Sequence, residues 1–269
     1  MNAIKKRKQL VLCVLLLAVV LYGTNAFHVR QRTRSVARAV LTVGLKLEYQ
    51  ISGRNTPFVP VLMYHSVNDA PLGAPELSVR PHDFDAQMQY LSQNGYTPIT
   101  FDELAAAGRY KKPILITFDD GYRDNFTEAY PILKKYGFHA TLFMISGDIG
   151  APNFLDGDDI LAMSDFISIQ SHTVRHLKLS TLSRDEIAFE LHYSKEAIEA
   201  LTGKPVTALS YPEGDYNETV LKLVAKEYRW AVTTKYGLWH NGMDRYRIRR
   251  LAVGRGMPLK RFARLVAAG

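Results

Sequence analysis

From residue 57 onward the chain alternates short apolar runs with longer stretches of helical spacing. Seven runs, at 60–65 (PVLMYH), 113–118 (PILITF), 139–144 (HATLFM), 166–170 (FISIQ), 207–211 (TALSY), 230–234 (WAVTT) and 247–252 (RIRRLA), are short and bounded by turn or charged residues. Such runs predict strands. The pattern between them predicts helices at 82–93, 101–107, 124–136, 183–202, 217–228 and 258–267. The helix at 183–202 is the clearest. Ser183 and Glu186 form a capping box, Ile187, Leu191, Ala197, Ile198 and Leu201 recur at helical spacing, and Gly203 and Pro205 stop it. Strand and helix in alternation predict an α/β fold with a parallel sheet or barrel. Seven candidate strands favour an incomplete (β/α) barrel of about seven parallel strands over an open sheet.

The first residues follow another pattern. Gln9 to Phe27 is a nearly unbroken apolar run behind the basic cluster Lys5–Lys8. A basic segment leading into an apolar core predicts a signal anchor or signal peptide over 1–27, and about twenty apolar residues suffice to span a bilayer. Thr24-Asn25-Ala26 is a weak cleavage site, so an uncleaved transmembrane anchor is preferred. Residues 28–56 read as a basic linker and 57–269 as the folded domain. The domain is then expected outside the cytoplasmic membrane, anchored to it, or secreted if the leader is cleaved. Basic residues flank both ends of the run, so charge does not set its orientation.

Charge adds little to this picture. The net +8 suggests nucleic acid, but residues 1–38 hold eight basic residues and no acidic one; the rest balances 26 basic against 26 acidic. No nucleic-acid partner is predicted. A second basic cluster, from Arg245 to Arg264, reads as a solvated helix face. The single cysteine, Cys13, lies in the apolar run, so the domain has no disulfide and no thiol nucleophile or ligand. Oligomeric state is left open.

Candidate chemistry gathers where the predicted strands end: Tyr64-His65, Asp119-Asp120-Gly121, His172-Thr173-Val174-Arg175-His176 and Tyr211-Pro212-Glu213-Gly214. In parallel α/β barrels those ends carry the active site. His172 and His176 are four apart, which on a helical turn puts both rings on one face. Two adjacent aspartates at the end of an apolar strand repel each other unless a cation holds them. Two histidines and one carboxylate leave positions open for water and substrate, which is a catalytic ligand set rather than a closed structural one. The bland alternative for the aspartates is a helix N-cap. Iron oxygenases use the same ligand set, but on antiparallel sheets, against the β/α alternation here.

These residues resemble the polysaccharide deacetylases (carbohydrate esterase family 4, with the NodB homology domain). TFDDGY at 117–122 matches the family's first motif and SHTVRH at 171–176 its histidine-containing second, within a resemblance covering about 57–255. The resemblance implies a distorted (β/α) barrel and metal-dependent N-deacetylation of an amino-sugar polymer. It implies Asp119 as general base and Asp120, His172 and His176 as metal ligands. Zinc is the expected metal, with cobalt, nickel and iron also compatible with the set.

Two departures matter. The third motif reads Ser210-Tyr211-Pro212-Glu213-Gly214, without the family's arginine and with Glu213 for its tyrosine. The Glu213 N–H can still hold an oxyanion, and Arg250 is the candidate to orient the base in place of the missing arginine. Tyr211, Pro212, Gly214 and Trp239 are the candidates for substrate contact. The late Leu-x-x-His motif is also missing. VLMYHSV at 61–67 resembles the subgroup acting on biofilm poly-N-acetylglucosamine, whose acid motif opens the domain, and implies His65 as general acid. Poly-N-acetylglucosamine is therefore the expected substrate, with peptidoglycan as the alternative. A non-catalytic, membrane-tethered glycan-binding domain also stays open, since the third motif and the late histidine motif are incomplete.

Overall fold

The computed structural model of the chain describes residues 58–70 and 74–267. The predicted anchor at 1–27 and the predicted linker at 28–56 lie outside the described residues. Among the described residues no helix is long and apolar enough to cross a membrane.

All seven predicted strands form: β1 (Val61–Tyr64), β5 (Pro113–Asp120), β6 (Ala140–Met144), β7 (Ile167–Ser171), β8 (Ala208–Ser210), β9 (Trp230–Tyr236) and β10 (Ile248–Ala252). Three two-residue strands lacked a sequence signal of any length: β2 (Ser66–Val67), β3 (Ser78–Val79) and β4 (Thr97–Pro98). The seven longer strands pair in parallel in the order β1, β10, β9, β8, β7, β6, β5, and β5 pairs back onto β1. The ring is thus closed by hydrogen bonds with seven strands, not open at a seam. Its joins are uneven. β5 meets β1 over four residue pairs, β7 meets β8 only at Ser171 and Leu209, and a register shift interrupts β9 against β10. The short join is backed by Gln170, whose side-chain oxygen accepts from the N–H groups of Thr207 and Ala208, both at 2.8 Å.

Among the described residues six α-helices pack around the ring: α1 (Pro81–Gln93), α2 (Tyr130–Tyr136), α3 (Gly157–Met163), α4 (Arg184–Thr202), α5 (Glu218–Glu227) and α6 (Leu259–Val266). The capping box at Ser183 and Glu186 is present, and Gly203 ends α4 in the left-handed conformation. Two expectations change. The helix expected from 124 opens as a π-helical turn, Asn125–Ala129, before α2. The stretch expected as helix at 101–107 is a 3₁₀ segment, Leu104–Arg109, kinked at Ala106.

The interior of the ring grades from apolar to polar. Side chains two apart share a face of a strand. Leu115, Ala208 and Ile248 lie in the core cluster, while Thr117 and Asp119, Ser210, and Arg250 follow them on the same faces and bond to one another. Val59, Ile99, Phe101, Leu104 and Ala107 complete the apolar part. Trp239 belongs to it as well. It is 1% exposed, sits edge-on to Trp230 at 5.8 Å, and pairs through its backbone with Val59. Trp230 opens β9 and Val59 precedes β1, so this is the end opposite the aspartates. Burial there removes Trp239 from the substrate contacts expected of it.

Candidate active site

β5 pairs in the sheet through Asp120 and the next helical turn begins only at Asn125, which excludes the helix N-cap reading of either aspartate. Asp119 is 2% exposed and is gripped by Arg250, whose Nη1 donates to Oδ1 at 2.7 Å and Nη2 to Oδ2 at 2.6 Å. Ser210 Oγ adds a third bond to Oδ2 at 3.2 Å. Arg250 is itself buried, with Nε donating to the Thr233 carbonyl and Nη1 also reaching Thr117. It is therefore no part of a solvated helix face, the reading its neighbours in sequence suggested. Burial works to raise the Asp119 pKa, but the charge and hydrogen bonds of Arg250, with His172 and His65 adding, hold the carboxyl well below the usual carboxylate range.

Asp120 turns the other way. Its backbone is left-handed at φ 76°, and its Oδ1 lies 3.4 Å from His172 Nε2 and 3.7 Å from His176 Nε2. One ligand atom from each of the three residues falls within 4.8 Å of the others. His172 Nδ1 lies 2.7 Å from the Ser210 carbonyl. A carbonyl only accepts, so Nδ1 carries the proton and the Nε2 lone pair is free for a metal. The donor set, its spacing and this tautomer all fit a divalent cation. Burial lowers the His176 pKa, while the hydrogen bond and charges of Asp120 and the charge of Asp119 overcome burial to raise that of His172.

The two histidines do not share a helical turn, as their spacing suggested. Residues 172–178 form a loop anchored by Glu190 of α4, which is wholly buried. Its Oε2 accepts from the N–H groups of Val174 and Arg175 at 2.8 and 2.9 Å, and Oε1 from Arg175 Nε at 2.6 Å. Left-handed backbone at Thr173 and His176 completes the turn. With Asp120 and Glu213, four of the six non-glycine residues with positive φ among the described residues lie here, and such strain collects where function fixes geometry.

The third motif forms a tight 3₁₀ turn, Pro212–Gly214. Gly214, at φ 71°, presses so closely on Thr234 that any Cβ would collide. The Glu213 carboxylate is half-exposed and pairs with Lys178 at 2.9 Å. Pro212 is buried. Tyr211 is fully buried, with its hydroxyl donating to the Tyr246 carbonyl at 3.0 Å, so its ring is not available to stack on a sugar. His65 stands at the end of β1, where burial lowers its pKa and the charges of Asp119 and Asp120 work against that.

Comparison with known proteins meets this geometry. The polysaccharide deacetylase family model matches residues 107–229. A Bacillus subtilis protein named for polysaccharide deacetylation, YxkH, is 39% identical over 206 residues, covering 74% of this chain and 72% of that protein. The chain belongs to the polysaccharide deacetylase family. The crystal structure of a Bacillus anthracis polysaccharide deacetylase, BA0330, superposes with a TM-score of 0.75 at 35% identity, covering 78% of this chain and 69% of that one. The poly-β-1,6-N-acetyl-D-glucosamine N-deacetylase of Staphylococcus epidermidis is 27% identical over 197 residues, covering 65% of this chain and 68% of that protein.

This deacetylase is therefore a hydrolase of amide bonds in N-acetylated polysaccharide, and the purely glycan-binding alternative falls away. Its fold brings Asp119, Asp120, His172, His176, Ser210 and Arg250 together and leaves Trp239 and the Tyr211 ring outside. Sequence reasoning passed over Ser210, Glu190, Asp124 and Asn125. Ser210 stood inside the third motif and carried a signal; the other three are polar residues in predicted helices, where burial does not show.

Proposed function

We propose that this deacetylase removes N-acetyl groups from poly-N-acetylglucosamine outside the cytoplasmic membrane. The observation that carries the reading is the pairing of an arginine-gripped carboxylate, Asp119, with the adjoining triad of Asp120, His172 and His176. Bound by that triad, a divalent cation, zinc by preference, supplies Lewis acidity to the acetamide carbonyl and to water. Asp119 takes the proton of the attacking water. Arg250 keeps Asp119 ionised and fixed in direction, so the base is ready at any working pH. The Glu213 N–H donates to the oxyanion. His65 gives a proton to the departing sugar nitrogen as the C–N bond breaks. One amide and one water yield acetate and a free amine.

Two features support the polymer. The Staphylococcus epidermidis relative bears the name of that activity, and the acid candidate directly follows the first strand. Acetate release by the full chain from poly-β-1,6-N-acetylglucosamine and from peptidoglycan, with zinc and with chelator, tests the reading. Zinc-dependent release from the first polymer, lost in Asp119→Asn, is the expected result. Preferential release from peptidoglycan would overturn the substrate.

The apolar run at 9–27 behind Lys5–Lys8 supports a membrane tether, and a polymer that lies outside the membrane is the ground for placing the domain on that side. Protease added to intact spheroplasts should then digest the domain, whereas full protection until lysis would refute this placement.

A further inference from the structure

Just past the paired aspartates lie two buried polar residues that the chemistry above leaves unused. Asp124 is 4% exposed and Asn125 2%. Both face the junction of β1 and β2. The Asp124 carboxylate accepts from Ser66 Oγ at 2.6 Å through one oxygen and from the Val67 N–H at 3.0 Å through the other. Asn125 Nδ2 donates to the His65 carbonyl at 2.8 Å and to Asp124 Oδ1 at 3.1 Å. Residues 65, 66 and 67 are thus each tied to one dipeptide about sixty residues away.

This arrangement is costly as mere packing. A buried carboxylate held by neutral donors is dearer than an apolar pair filling the same space, and burial raises the Asp124 pKa accordingly. Asn125 Oδ1 is buried without a partner, so the amide gives up an acceptor to aim its N–H groups at His65 and Asp124. The helix also opens here as a π-helical turn, Asn125–Ala129. Such turns are rare and recur beside functional sites. What the polar pair adds over an apolar one is direction, and the atoms it directs belong to the main chain carrying His65.

We propose that Asp124 and Asn125 are positioning residues that fix His65 at the mouth of the site, so that its ring meets the leaving nitrogen. This rests on His65 being the general acid. The test is a double-mutant cycle of Asn125→Ala and His65→Ala in the full chain, with Ser66→Ala as a second disruption of the same network. Turnover of an N-acetylglucosamine pentamer is normalised to sites counted by zinc titration. Hydrolysis of 4-methylumbelliferyl acetate is followed in the same samples, because its leaving group departs without a proton.

Asn125→Ala should lower kcat on the pentamer about tenfold, a part of the 10²–10⁴ that acid–base catalysis can supply. KM, zinc affinity and ester turnover should stay within about twofold of wild type, and Ser66→Ala should show the same pattern more weakly. In the His65→Ala background, Asn125→Ala should have no further effect. Equal losses in both backgrounds, parallel losses on amide and ester, or weakened zinc binding would overturn the proposal. Full pentamer turnover by His65→Ala alone would instead overturn the general-acid reading itself.

Discussion

Asp119 and Arg250 form a fully buried ion pair with two short hydrogen bonds. Breaking such a pair from one side costs about 3–5 kcal/mol, because the remaining charge is left unpaired. Arg250→Gln should therefore lower the melting temperature. It should also move the acidic limb of the kcat/KM profile to higher pH, since the largest influence opposing burial at Asp119 is then gone and only His172, His65 and the Ser210 hydroxyl remain. The sign of the stability effect is testable too. In the wild type the folded-state pKa lies below the unfolded value of about 3.9. The pair's contribution is therefore complete above that value and is lost as pH falls toward the folded pKa. In Arg250→Gln the folded pKa rises toward or past the unfolded one, so the gain in stability with rising pH should shrink or reverse. Urea titrations of Asp119→Asn and Arg250→Gln from pH 3 to 7 read both slopes; an unchanged acidic limb in Arg250→Gln would contradict the account. The residues named by local runs, Asp119, Asp120, His172 and His176, were legible because motif spacing survives in one dimension. Tyr211 and Trp239 were not, since an aromatic ring in a strand-rich sequence looks the same inside the core as on a rim.

At the scale of elements, α4 does two separate jobs. Its start is a local device, the capping box of Ser183 and Glu186, and this was readable because cap and partner are three residues apart. Its middle holds the loop that carries His176, through Glu190 and three N–H donors of residues 174 and 175. That tie spans some fifteen residues and leaves no periodic trace, so the loop was expected as a helical turn. The missed helix α3 has the same explanation in reverse: its capping box at Asp156 and Asp159 is present, but only seven residues follow and no apolar stripe can build. The two jobs separate by mutation. Ser183→Ala should cost about 1 kcal/mol and leave zinc affinity untouched. Glu190→Ala should cost more, since buried donors lose their acceptor, and should weaken zinc binding about tenfold, as supporting partners of a metal site do. Melting curves and zinc titrations on both variants check this, and equal zinc affinity in the two would show that Glu190 supports the fold alone.

For the whole domain, the seven strands and their parallel sense followed from alternation of runs, whereas closure of the ring did not. β1 pairs with β10 nearly 190 residues later, and no pattern in the chain announces a contact so distant. Closure has a consequence: the ring's interior has two ends with different work. At one end Asp119, Ser210 and Arg250 meet the triad; at the other Val59, Phe101, Trp230 and Trp239 exclude water beneath them. The apolar end stiffens the site by fixing the strands that carry it, but touches no reacting group. Removing Trp239 should then separate stability from chemistry. Trp239→Ala empties a large buried volume and should cost about 3–5 kcal/mol. Below its lowered melting temperature, the variant's kcat, KM and zinc affinity per folded molecule should match wild type. Had Trp239 carried a sugar ring, as the sequence suggested, the reverse would hold, with KM rising sharply while the melting temperature moved little. Each outcome changes one measurement and leaves the other nearly still, so one variant with a melt and a saturation curve decides between a floor to the barrel and a wall of the substrate cleft.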